Sequence, residues 1–167
     1  MDHSSVHHHG QHHAHGAPAS HPPGWRTAMS ATLHCLTGCG IGEVLGMVLG
    51  TAWGLTNVQT IVLAVVLAFI FGYALTLLPL LRAGLALRAA AGLALAADTI
   101  SITIMEIVDN AIMLVIPGAM AAGLTGGLFW AALATALVIA GAVAFPVNRW
   151  LIARGRGHAV VHAHMGH

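Results

Sequence analysis

Residues 34–54 read HCLTGCGIGEVLGMVLGTAWG, and two stripes in that stretch decide how the rest of the chain is read. Gly38, Gly42, Gly46, Gly50 and Gly54 recur at every fourth position. On a helix that interval draws a ridge without side chains, a surface on which another helix backbone can lie closely. Beside the ridge run Cys35, Cys39, Glu43 and Met47, also four apart. At about 100° per residue each step drifts by roughly 40°, so these four form a slow spiral next to the glycines. At about 1.5 Å of rise per residue they span about 18 Å of depth, more than half of a ~30 Å hydrocarbon core. His34 is displaced around the helix, but its place at the end of the stripe lets it swing toward the same line.

This stretch belongs to the first of four apolar segments, at about 28–53, 60–81, 93–116 and 125–147. Each is near the ~20 residues that cross a bilayer as a helix. Of 167 residues, 57% are apolar and 7% charged, against about 25% charged in a soluble domain. So few charges cannot cover a water-soluble fold. They exclude a soluble enzyme, a nucleic-acid binder and a disulfide-stapled secreted module. The expected fold is an all-α integral membrane four-helix bundle over 26–152, because lipid leaves helices and closed barrels as the only ways to satisfy a spanning backbone. The stretch 83–97 reads either as an extension of the third helix or as an interfacial segment.

Arginine placement supports four spans. Arg26 precedes the first, Arg82 and Arg88 separate the second from the third, and Arg149, Arg154 and Arg156 follow the fourth. With four spans all six fall on one side, and the opposite loops near Asn57 and Gly123 are uncharged. By the positive-inside rule that side is cytoplasmic, with both termini, in a multi-pass protein of a bacterial inner membrane. Residues 1–25 and 153–167 carry all the histidines except His34 and read as histidine-rich tails. The first lacks any helical or strand period and is expected to be disordered. It also lacks the marks of a signal peptide and is expected to be retained.

Four of the five acids, Glu43, Asp98, Glu106 and Asp109, fall inside the first and third spans. An ionised carboxylate at mid-bilayer costs at least about 2.5–3.5 kcal/mol on insertion scales. No arginine or lysine lies within these spans to offset it, so the partner is a proton or a bound cation. In the third span, DTISITIMEIVDNAIMLVIPG, Asp98, Met105, Glu106, Asp109 and Met113 fit on one face about 100° wide. The two polar helices run in the same direction. Their ladders should therefore match in depth, with the cysteines and Asp98 toward the cytoplasm, Glu43 and Glu106 midway, and Met47, Asp109 and Met113 toward the outside.

Each feature also has a plainer reading. The cysteines and methionines serve as apolar filler, the glycine ridge as packing, and the carboxyls as protonated bridges between helices or as a proton path. Thiol, thioether, imidazole and carboxylate donors together suit a transition metal: Cu(I), Zn or Ni. The candidate ligands are His34, Cys35, Cys39, Glu43, Met47, Asp98, Met105, Glu106, Asp109 and Met113. A mixed ladder suits an ion that is passed along, which needs several sites each weak enough to leave. The expected function is a transition-metal permease or efflux protein, with the tails concentrating or sensing the ion. The alternatives are a scaffold pairing with another subunit through the glycine ridge, a proton-coupled transporter, and a membrane metalloenzyme. No haem-attachment signature or Ser–His–Asp arrangement is present, so no enzyme is expected. The expected partners are the bilayer, a metal ion and a second copy of the chain enclosing the path, with no nucleic acid.

The HCxxGCxxGE run from His34 to Glu43 and the MEIVDNAIMLVIPGAM run from Met105 to Met120 resemble the bacterial domain-of-unknown-function family 4396, over about residues 25–155. The resemblance implies a multi-spanning bacterial membrane protein and carries no activity with it.

Overall fold

In a computed structural model of the chain, residues 25–154 are described. The histidine-rich tails lie outside the described residues, apart from a few positions where they join the helices. The order is α1 (Trp25–Ala52), α2 (Asn57–Arg82), α3 (Leu87–Val115), a single-turn α4 (Ala119–Ala122) and α5 (Gly127–Ala153). The four long helices are each long and apolar enough to cross a membrane. The protein is thus a helical bundle of the multi-pass membrane type. The ambiguous 83–97 stretch divides into a turn and the first turns of α3. The last helix runs on past 147 and includes Arg149.

Two turns are set by glycine. α1 closes at Gly54 (φ 63°) and α2 at Gly84 (φ 87°), both in the left-handed region where a Cβ is costly. At each, the following amide reaches back to a carbonyl of the last turn, Leu55 to Gly50 at 2.9 Å and Leu85 to Leu80 at 3.2 Å. This pattern satisfies carbonyls that a helix end leaves open. Thr56 then caps α2, exchanging hydrogen bonds with Gln59. Such short connections force antiparallel neighbours.

The glycine ridge of α1 is filled by α2 of the same chain. A Cβ on Gly38 would stand 2.7 Å from the Gly72 Cα, one on Gly42 would strike the Ala68 backbone, and one on Gly46 would come within 2.5 Å of the Ala64 Cα. Gly50 meets Thr60. The partners step back by four as the glycines step forward by four, which is an antiparallel register. α2 answers with its own small-residue stripe, Thr60, Ala64, Ala68, Gly72 and Thr76. On its opposite side Val58, Val62, Val66 and Ile70 are exposed at the same interval, a face suited to lipid. Gly38, Gly42, Gly46 and Gly50 are therefore covered by α2 of the same chain, while Gly54, the fifth glycine of the series, lies in the turn after α1 with open space around it.

Ala28 and Ala31 of α1 pack with Ile152 at one end of the bundle, where Leu80 of α2 meets Ala90 and Ala97 of α3. Met47, Met113 and Phe129 pack at the other. This topology gathers Arg26, Arg82, Arg88, Arg149 and Arg154 at the first end. All four tryptophans sit exposed near helix ends, Trp25 and Trp150 with the arginines and Trp53 and Trp130 opposite. The Arg154 guanidinium lies 4.0 Å from the centre of the Trp150 ring. Tryptophans at both ends of apolar helices match the aromatic belts found at membrane–water interfaces.

Candidate functional site: a buried thiol and carboxyl ladder

α1 presents the glycines to α2 and its other stripe to α3 and α5. Glu43, Asp98, Glu106 and Asp109 keep only 8, 0, 4 and 2% of their accessible surface, so all four acids lie inside the bundle and none faces lipid. Cys35 and Cys39 are buried free thiols. One chain encloses the whole ladder, so enclosure does not require a second copy.

The side chains meet in tiers along the axis. Nearest the arginines, the Cys35 Sγ lies 4.0 Å from Asp98 Oδ1, with Ser101 beside it. Thr76 of α2 stands between His34 and Asp98, its Oγ1 at 2.9 Å from His34 Nε2 and its hydroxyl also against the Asp98 carboxyl. In the next tier Cys39 faces Glu106, whose carboxyl also receives the Asn110 amide at 3.4 Å. In the third tier Glu43 interacts with both Asp109 and Glu106. Met105 packs among the two thiols and Ile102, Ala140 and Ala144. Met47 and Met113 lie beyond the acids, in the cluster around Phe129.

The matched depth expected of α1 and α3 is present with one adjustment: Glu43 stands between Glu106 and Asp109, and Cys39 takes the place opposite Glu106. Both oxygens of Glu43, one of Glu106 and one of Asp109 are buried without a hydrogen-bond partner among the described residues. A buried acceptor left that way costs about 1–3 kcal/mol, more if charged. The tiers hold donors mostly in pairs. Among the described residues, no three His, Cys, Asp or Glu side chains converge in a geometry that could hold a metal ion.

Three contributors were not singled out from sequence. Thr76 and Asn148 are polar residues on helices otherwise read as packing surfaces; Asn148 Nδ2 donates to Thr32 Oγ1 at 3.0 Å, tying α5 to α1. Met120 lies on α4, a turn made by the left-handed Gly118 after Pro117 that returns the chain toward the bundle. The signal for Thr76 was available in the α2 stripe: continuing the antiparallel register one turn beyond Gly38 and Gly72 sets Thr76 opposite His34.

A family model described as Domain of unknown function (DUF4396) matches residues 24–157. The chain belongs to this family. Helices α1 to α5 and every tier of the ladder fall within the matched DUF4396 region. No curated protein and no solved structure gives a significant match.

Proposed function

We propose that this DUF4396 protein carries a transition-metal ion, Cu, Zn or Ni, across the membrane along the ladder between α1 and α3. The observation that supports the reading is the burial of four acids and two thiols in one continuous column between helices that hold no arginine beyond their first turns. Unpartnered carboxyl oxygens in a low-dielectric interior favour a cation, and donors stacked in pairs suit transient holding better than a closed cage. In this reading the arginine end faces the cytoplasm of a bacterial cell, the histidine tails gather the ion there, and the protein is not an enzyme.

The test is metal uptake by proteoliposomes containing the full chain. Glu43→Gln and Asp109→Asn should each reduce uptake by at least about tenfold, the scale of losing a metal-site group. Unchanged uptake in both would end the proposal.

A second reading, proton transfer without metal, is favoured by the contact of Glu43 with Asp109 and Glu106 and by the lack of a three-ligand cluster among the described residues. It predicts that Cys35→Ser with Cys39→Ser leaves activity intact, whereas the metal reading predicts a loss.

A further inference from the structure

Beyond the last acid tier, at the end away from the arginines, the helices leave a cavity of about 40 Å³. That is room for a bare ion or a water or two. Its lining includes Glu43, Met47, Thr60, Asn110, Met113 and Met120. Glu43 is more than nine-tenths buried, and among the described residues its carboxyl oxygens meet no donor side chain, their neighbours being the carboxyls of Asp109 and Glu106. The three methionines come from three separate elements, α1, α3 and α4, and meet at this one place.

We propose that this cavity is a binding site for a soft monovalent metal ion, Cu(I), held by the thioethers of Met47, Met113 and Met120 with the Glu43 carboxylate as counter-charge. The inference rests on the reading of the bundle as a metal-ion carrier and narrows its cargo. Thioether sulfur is a soft donor that selects Cu(I), whereas Zn is bound by thiolate, imidazole and carboxylate. A single carboxylate on the lining neutralises a monovalent ion and leaves a divalent one with a net charge in a dry interior. Asp109 and Glu106 interact with Glu43 but do not line the cavity, and the Asn110 amide is committed to Glu106. Methionine as plain filler explains the packing against Phe129 and Leu133. It leaves unexplained why the open space beside that packing is shared by three methionines and a carboxyl whose polar neighbours are other acids. Flexible methionine side chains can turn their sulfurs inward at little cost.

Ag(I), a redox-inert probe of the same softness, tests the site in the full chain carrying Cys35→Ser and Cys39→Ser, where any sulfur bound to silver is thioether. Silver-edge X-ray absorption should show sulfur neighbours. Adding Met113→Leu and Met120→Leu should remove them and weaken Ag(I) binding by at least about tenfold. Excess Zn(II) or Ni(II) should not displace the silver. Histidines of the tails contribute nitrogen neighbours equally in both proteins. Leucine conserves methionine's volume, and Met120→Leu alone, on the partly exposed α4, gives the same readout if the pair fails to fold. Sulfur neighbours and affinity unchanged by the leucines would overturn the site, as would displacement by Zn(II). Uptake of metal by proteoliposomes separates the two claims. A thioether site without any uptake supports the site and removes the carrier reading. Zn or Ni uptake untouched by the leucines does the reverse.

Discussion

The two long faces of α1 are built from alternating commitments one residue apart. Gly38, Gly42 and Gly46 have α2 backbone against them, at separations where no Cβ fits. Cys39, Glu43 and Met47, each the next residue along, face α3 and the cavity. The first face is dense and satisfied. The second is buried yet polar, with acceptors that lack donors among the described residues. In lipid no hydrophobic force draws helices together, so close packing of small residues must supply the association. The α1–α2 seam therefore holds α1 rigidly, and that rigidity allows its neighbouring stripe to keep carboxyls and thiols where they destabilise. The lesson is a division of labour on one helix, with stability on one side and chemistry on the other.

The comparison breaks most severely at Gly42. A leucine there meets the Ala68 backbone, which cannot move aside as a flexible side chain can. Gly42→Leu should cost about 3 kcal/mol or more and abolish folding and activity together, measured by thermal unfolding in detergent. Gly40, on the opposite face of the same helix, would meet only the end of Leu137 at 3.6 Å, so Gly40→Ala should leave the melting temperature nearly unchanged. Equal damage from both would mean that the ridge is not the seam.

The polar face should respond in the opposite way. Glu43→Gln exchanges a buried carboxyl for a neutral amide of the same size, so stability should hold while metal uptake falls at least about tenfold. A joint loss of stability and uptake would show the carboxyl to be a structural bridge. Cys35→Ser with Cys39→Ser should have a smaller effect, since all four carboxyls remain. Uptake of Cu(I) should drop more than uptake of Zn, because the hydroxyl is a harder donor than the thiol. Equal reductions for both ions would argue that the thiols act by packing alone.

Much of this is legible in the sequence, for a physical reason. Repeats of four on one helix fix which residues share a face, so both stripes of α1 and the acidic face of α3 could be drawn from spacing. Arginine placement constrained the count of spans in the same way. What spacing does not reveal is which face meets which helix. The ridge was open to a second subunit until α2 was seen to fill it, and Thr76 had no meaning until the antiparallel register set it opposite His34. Met120 was illegible for a different reason: its position depends on the left-handed turn at Gly118, which folds back a stretch that reads as loop.

The smallest effect sharpens the comparison at the arginine end, where the two faces of α1 give way to a third contact. Asn148 of α5 donates to Thr32, whose hydroxyl also donates to the Ala28 carbonyl at 2.9 Å. This hydrogen bond lies apart from the ladder tiers and the glycine seam, so it belongs to neither commitment. Side-chain hydrogen bonds between membrane helices average about 0.6 kcal/mol and reach about 1.7. Asn148→Ala should therefore lower stability by about 0.6–1.7 kcal/mol in unfolding titrations and leave uptake unchanged. Asn148→Leu should separate the hydrogen bond from the volume: a leucine fills the space without a donor, and Thr32 keeps its bond to Ala28. If either substitution changes metal uptake without changing stability, the polar column extends past Asp98 to this pair, and the boundary between the helix's two roles lies one turn nearer the arginines than the tiers suggest.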